Sequence, residues 1–194
     1  MTISLLLLAS SAWALPPGFH ETKTTQYCQL ALGKAGPNGV VPMRAECHWP
    51  HIEPDKLHGL MGAWGDHDLY FSSVVSSDVQ KTDGGRSWVH QVHRAKGISD
   101  RECVVVMEKT SIDGGARYGW TVDNGGLVVE KGRVEVAQSD GFWEIRPHAD
   151  GGTAAVHQLS YDPGGSVPGF LVRWFQTSGL TAVVTELESY AASN

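Results

Sequence analysis

Two quotations from the last third of the chain decide its fold: Phe142-Trp143-Glu144-Ile145-Arg146-Pro147, and then Asp162-Pro163-Gly164-Gly165-Ser166-Val167-Pro168-Gly169-Phe170-Leu171. Alternating apolar and charged residues make the first a strand, with Glu144 and Arg146 toward water and Trp143 and Ile145 inward. The second is a tight Pro-Gly corner opening a helix, with Pro168 in the first turn, where a missing N–H costs nothing. Phe170, Leu171, Trp174, Phe175, Leu180, Val183, Val184 and Leu187 form a broad apolar face along that helix. It is expected to run from Ser166 or Val167 to Ser189, and Gly179 is expected to interrupt it.

Working outward, strand-like runs occupy Thr24–Leu32, Val40–Cys47, Leu69–Val75, Trp88–Arg94, Cys103–Thr110, Tyr118–Val122, Val134–Gln138, Phe142–Arg146 and Ala154–Tyr161. Between them fall Asp83-Gly84-Gly85, Asp113-Gly114-Gly115, Asn124-Gly125-Gly126, Ser139-Asp140-Gly141 and Asp150-Gly151-Gly152, which supply the positive φ of hairpin turns. A short helix is expected over Pro54–Gly62, where Leu57, Leu60 and Met61 share a face. Many antiparallel strands with one long terminal helix give an α+β fold in which the helix covers one face of a curved sheet.

Alternation also assigns the inner faces. Cys103, Val105 and Met107 point inward while Glu102 and Glu108 point out. Trp88, His90 and Val92 share one face, as do Tyr118 with Trp120, and Ala155 with His157 and Leu159. The resulting lining is large, aromatic and sparsely polar, the composition of a ligand pocket and equally of a packed core.

Net charge is −6 and Lys and Arg are scattered among more numerous carboxylates, which excludes a nucleic-acid binder with a basic patch. No basic amphipathic stretch marks a membrane-surface helix. Residues 1–14 hold an uncharged apolar run, Ile3–Ala9, ending in Ala12-Trp13-Ala14, and read as a secretory signal too short to span a bilayer. The mature chain, 15–194, is expected to form a single domain, secreted or periplasmic.

Cys28 and Cys47 lie at matching distances from the Gly36-Pro37-Asn38-Gly39 turn, so they are candidates for a cross-strand disulfide, with Cys103 left over. Three buried thiols are the alternative. His48-Trp49-Pro50-His51 and Asp66-His67-Asp68 have metal-ligand residue types but no metal-site spacing, so no metal or other cofactor is expected. No nucleophile elbow, phosphate loop or dinucleotide fingerprint is present.

Four segments carry a family resemblance. Ile98-Ser99-Asp100-Arg101-Glu102, Gly141 through Pro147, Gly152-Thr153, and the corner from Asp162 to Pro168 make the chain similar to the steroidogenic-acute-regulatory-related lipid-transfer (START) family, within the birch-allergen-like helix-grip proteins. The likeness runs from about Val41 to Tyr190. Glu102 stands where the family usually has Asp, and the segment before Val40 has little of the family's long amino-terminal helix.

The resemblance implies a cavity between sheet and terminal helix holding a lipid, sterol or other apolar molecule in a monomeric protein that touches membranes transiently. The lining set is then Trp88, His90, Arg101, Val105, Met107, Tyr118, Trp120, Trp143, Ile145, His157, Leu159, Leu171, Trp174 and Phe175. Arg101 either anchors a polar head group or pairs with Asp100, Glu102 or a neighbouring strand. Opening is expected to move the terminal helix or the loop Asp123–Arg133. Helix-grip relatives also include cyclases and aromatases, so a cavity enzyme using His, Arg or Tyr is one alternative. An envelope interaction protein with a filled core is another.

Overall fold

The computed structural model describes residues 15–94 and 97–194, so the expected signal segment, 1–14, lies outside the described residues. The strands are β1 (His20–Thr24), β2 (Cys28–Leu32), β3 (Met43–Trp49), β4 (Val74–Asp83), β5 (Arg86–His93), β6 (Arg101–Ile112), β7 (Gly115–Val122), β8 (Val134–Glu135), β9 (Gln138–Pro147) and β10 (Thr153–Asp162). They form one sheet in the order β1-β2-β3-β10-β9-β7-β6-β5-β4, with antiparallel neighbours throughout, and β8 adds to β6 in parallel.

Helix α1 (Pro54–Gly62) starts on its proline and buries Leu57 and Met61, as its spacing predicts. A 3-10 turn (Trp64–Asp66) and the short α2 (His67–Tyr70) follow. The terminal helix comprises α3 (Gly169–Trp174), a π-helical turn (Phe175–Gly179) and α4 (Leu180–Ser193). The expected interruption at Gly179 is thus a wide turn, a place where one extra residue enters the helical ladder. The structure is α+β, a curved antiparallel sheet gripping a carboxy-terminal helix.

Four local expectations are corrected. Leu69–Val75 is not a strand: its first residues finish α2, and strand geometry begins only at Val74. Leu69-Tyr70-Phe71 is a short apolar run, which periodicity alone cannot assign. Ser139-Asp140-Gly141 is not a turn but lies inside β9, opposite Tyr161, Ser160 and Leu159. Glycine stands at 141 because a Cβ there would come within 2.4 Å of the Trp120 indole and 2.5 Å of the Gln158 carbonyl. The expected strand Val134–Gln138 is two short pieces, the end of which already belongs to β9. Finally, the terminal helix begins at Gly169 and runs to Ser193, displaced toward the carboxy terminus at both ends.

Packing explains the grip. Leu180, Val184, Leu187 and Ala191 of α4 are buried against Leu30, Met43, Cys47, Trp49 and Ile145 in the main core. Cys28 and Cys47 are register partners across β2 and β3, and their sulfurs are joined in a disulfide. Cys103 is a buried free thiol, its pKa pushed up to about 12 by burial. A smaller core of Val89, Cys103, Val105, Met107 and Val136 holds β5, β6 and the segment after β8 together.

Candidate functional site

The inner face of the sheet can be read along its hydrogen-bonded rows. Met107 lies opposite Trp120, Trp120 opposite Gly141, Gly141 opposite Leu159, and Leu159 opposite Met43. The next row runs Tyr118, Trp143, His157 and Ala45. Partners across a ladder point to one face, so these rows pave a continuous aromatic floor. Between this floor and the terminal helix lies a cavity of about 520 Å³. A packed interior leaves few voids larger than a water molecule, so this volume is space the side chains do not fill.

Of the expected lining set, Arg101, Met107, Tyr118, Trp120, Trp143, His157, Leu159, Trp174 and Phe175 border the cavity. Five residues do not. Val105 and Ile145 are oriented inward but lie wholly within the two packed cores. Leu171 is half-buried on α3, away from the cavity wall. Trp88 and His90 are on the opposite face of β5, where Trp88 donates to Asp123 (3.2 Å) beneath the Lys81 ammonium and His90 bonds Glu102 (2.8 Å).

The inner residues of β5 are instead Val89, Gln91 and His93, the first two opposite Val105 and Cys103 of β6. Two cues give that phase. Arg86 has the parity of Trp88 and pairs with Glu108 outside the sheet, and Cys103 and Val105 can share a face only with Gln91 and Val89. The size of Trp88 obscured both. Also absent from the expected lining are Trp64, His67, Phe71, Ser139 and Tyr161, all bordering the cavity. His67 enters it from α2, and Ser139 enters it because the expected turn is strand.

The polar groups fall into three sets. His157 stacks on Trp143 (centroids 4.2 Å apart) and faces Trp120 at 5.8 Å. Its Nδ1 has no hydrogen-bond partner, and burial pushes its pKa down to about 3. His67 is similar: its Nε2 has no hydrogen-bond partner, and burial lowers its pKa to about 4. The third set is a chain of hydrogen bonds, from Tyr161 through His93 (3.2 Å), Gln91 (3.1 Å) and Ser77 (2.9 Å) to the Trp64 carbonyl (2.7 Å). Burial lowers the His93 pKa to about 4 and raises that of Tyr161.

Arg101 is 4% exposed and donates to the Pro163 carbonyl (3.4 Å) and the Ser99 carbonyl. It forms neither of the expected ion pairs. Asp100 is gripped by both ends of the Arg94 guanidinium, which holds its pKa below the usual range. Glu102 is engaged by His90, Arg133 and the Glu130 N–H. Among the described residues no carboxylate lies within ion-pair distance of Arg101.

Of the residues bordering the cavity, Ser72, Ser73, Arg94 and Trp174 are exposed and form its outer rim. Glu186 of α4 receives the Ser72 N–H (3.0 Å) and hydroxyl, tying the helix to this rim. The loop Asp123–Arg133 does not border the cavity. Asn124 fixes it to Val104 (2.9 Å) and Val136 (2.9 Å), and Glu102 holds Glu130 (2.9 Å), so its glycines serve a pinned outer loop and not the expected lid.

Comparison with known proteins places this architecture. No family model matches the chain. It is 30% identical over 109 residues to an uncharacterized protein of Pseudomonas aeruginosa, covering 55% of this chain and spanning about half (54%) of that relative's length. Among solved structures, the STAR-related lipid transfer protein of Xanthomonas axonopodis superposes with a TM-score of 0.79 at 19% identity, over 90% of this chain and 98% of that one. Human STARD10 gives 0.80 at 10% identity over 91% and 74%, and human StAR-related lipid transfer protein 5 gives 0.78 at 15% over 91% and 86%. The chain therefore has the START helix-grip fold.

Proposed function

We propose that this protein binds a lipid, sterol or other apolar molecule in the cavity beneath its terminal helix, and carries it. One observation carries the reading: about 520 Å³ of space lined mainly by aromatic and aliphatic side chains, with a handful of directed polar groups, the make-up of a small-molecule site. Removing a guest's apolar surface from water there contributes about 25 cal/mol per Å². The likeness to proteins named for lipid transfer supports the same reading.

Binding is favoured over acid-base catalysis by the state of the histidines. His67, His93 and His157 are held neutral with pKa values well below 7, whereas an efficient general base has a pKa near the working pH. The cavity's one acidic side chain among the described residues, Glu186, is engaged by Ser72. A filled core is disfavoured by the volume itself.

In this proposal the guest enters past the rim formed by Ser72, Arg94 and Trp174, with α3 moving aside. Phe170 and Trp174, 65% and 47% exposed on α3, suit brief contact with a membrane during loading. The protein works as a monomer in a secreted or periplasmic setting, where a bonded Cys28–Cys47 pair persists. Organic extraction of the protein purified from its native host, followed by lipid mass spectrometry, tests the reading. A near-stoichiometric apolar guest is expected, and a guest-free protein that also takes up no apolar probe would overturn it.

A further inference from the structure

The hydrogen-bond chain behind Tyr161 has a direction, and the direction can be worked out from its far end. The Trp64 carbonyl has no proton to give, so the Ser77 hydroxyl donates to it. With its only proton spent, Ser77 Oγ accepts from Gln91, which fixes the amide nitrogen toward Ser77 and the amide oxygen toward His93. That oxygen only accepts, so His93 Nε2 carries the ring proton. A neutral imidazole has one such proton, which makes Nδ1 an acceptor and leaves Tyr161 as the donor to it. Burial keeps His93 neutral well below pH 7, consistent with this assignment.

Tyr161 borders the cavity, and its phenol oxygen, with its proton committed to His93, has only lone pairs to offer. His157 Nδ1 and His67 Nε2, in side chains 3% and 8% exposed, also have no hydrogen-bond partner. Unmet buried acceptors cost free energy until something donates to them. Arg101 is the opposite case, a pure donor bordering the same cavity. In a cavity lined by both a donor and an acceptor, a hydroxyl can meet either, because it accepts and donates. A carboxylate, ketone or ether can serve Arg101 alone and has no proton to give Tyr161.

Resting on the binding function proposed above, we infer that the guest is a neutral hydroxylated apolar molecule whose hydroxyl donates to Tyr161, and that Gln91 is a positioning residue that sets this preference by fixing the His93 tautomer. The site discriminates alcohols from their ethers and from acids of the same skeleton.

The test uses two matched sets, 2-naphthol, 2-methoxynaphthalene and 2-naphthoate, and 1-hexadecanol, 1-methoxyhexadecane and hexadecanoate. Binding is read by quenching of the cavity tryptophans on the full mature chain. The alcohol is expected to bind about ten-fold tighter than its ether and its acid in each set, the worth of one hydrogen bond with an acceptor otherwise left unmet. Tyr161→Phe removes that ratio. Gln91→Leu, which leaves Tyr161 in place but frees the His93 ring to exchange tautomers, also shrinks it, and thermal unfolding shows whether either variant is folded. Equal affinity for alcohol and ether, tighter binding of the acids, or an unchanged ratio in folded Gln91→Leu would overturn the inference while leaving cavity binding intact. Failure of every probe in both sets would overturn the binding function itself.

Discussion

The two halves of the terminal helix follow one another in the chain and differ in almost everything else. α4 buries Leu180, Val184, Leu187 and Ala191, a stripe at helical spacing set against β2 and β3. α3 buries no residue, exposes Phe170 and Trp174, and sets Trp174 at the cavity rim. The π-helical turn Phe175–Gly179 separates them. The difference teaches that a single helix can be a structural anchor at one end and a movable cover at the other, since local stability follows the apolar contacts each segment makes.

Substitutions should separate the halves. Leu187→Ala removes a fully buried side chain from the anchor and is expected to cost roughly 2–5 kcal/mol in urea unfolding. Phe170→Ala, on the cover, is expected to stay within about 0.5 kcal/mol. Comparable losses at both positions would erase the distinction.

Acid should act through the cavity wall and not through the anchor. His67, His93 and His157 are neutral when folded, with pKa values of about 4, about 4 and about 3 against an ordinary 6.5. As pH falls below 6.5 the unfolded chain takes up these protons first, so the stabilisation is complete above that value. It is lost progressively down to the folded pKa values, on the order of 1.4 kcal/mol per pH unit for each ring. α4 has no histidine, and its Glu188, which burial shifts upward, works in the opposite direction. Urea unfolding at pH 7, 6 and 5 is expected to show a shallower decline for His157→Phe than for the parent. Parallel declines would mean His157 is not kept neutral by the fold.

How much of this was legible beforehand depended on charges. In β9, Glu144 and Arg146 mark the wet face and so place Trp143 correctly, and β6 is phased the same way by Glu102 and Glu108. The register then carries His157, Leu159, Tyr118 and Trp120 along. In β5 the large Trp88 outweighed the cue from Arg86, and the inner face came out reversed, hiding Gln91 and His93. No periodicity exposes the direction of the Tyr161 chain, because it is a property of atoms brought together from β4, β5, β10 and the 3-10 turn.

A smaller effect probes the joint between the halves. Gly179 has ordinary helical dihedrals, and an added Cβ would make only normal contacts with Phe175, at 3.7 Å and 3.9 Å. Gly179→Ala should therefore stabilise by about 0.4–1 kcal/mol through the unfolded state. It should also slow uptake of an apolar probe in stopped-flow fluorescence, by stiffening the segment the cover swings on. Unchanged uptake with raised stability would place the moving part elsewhere on the rim.

The space beneath the helix is tested most directly by filling it. Leu159→Trp puts an indole into the cavity from the floor, and Val128→Trp, at a site 89% exposed on the outer loop, adds the same bulk outside. Equilibrium binding of 1-hexadecanol and 2-naphthol should fall by about ten-fold or more in folded Leu159→Trp and stay unchanged in Val128→Trp. Parent-like binding by the filled variant would contradict the claim that the guest occupies this cavity.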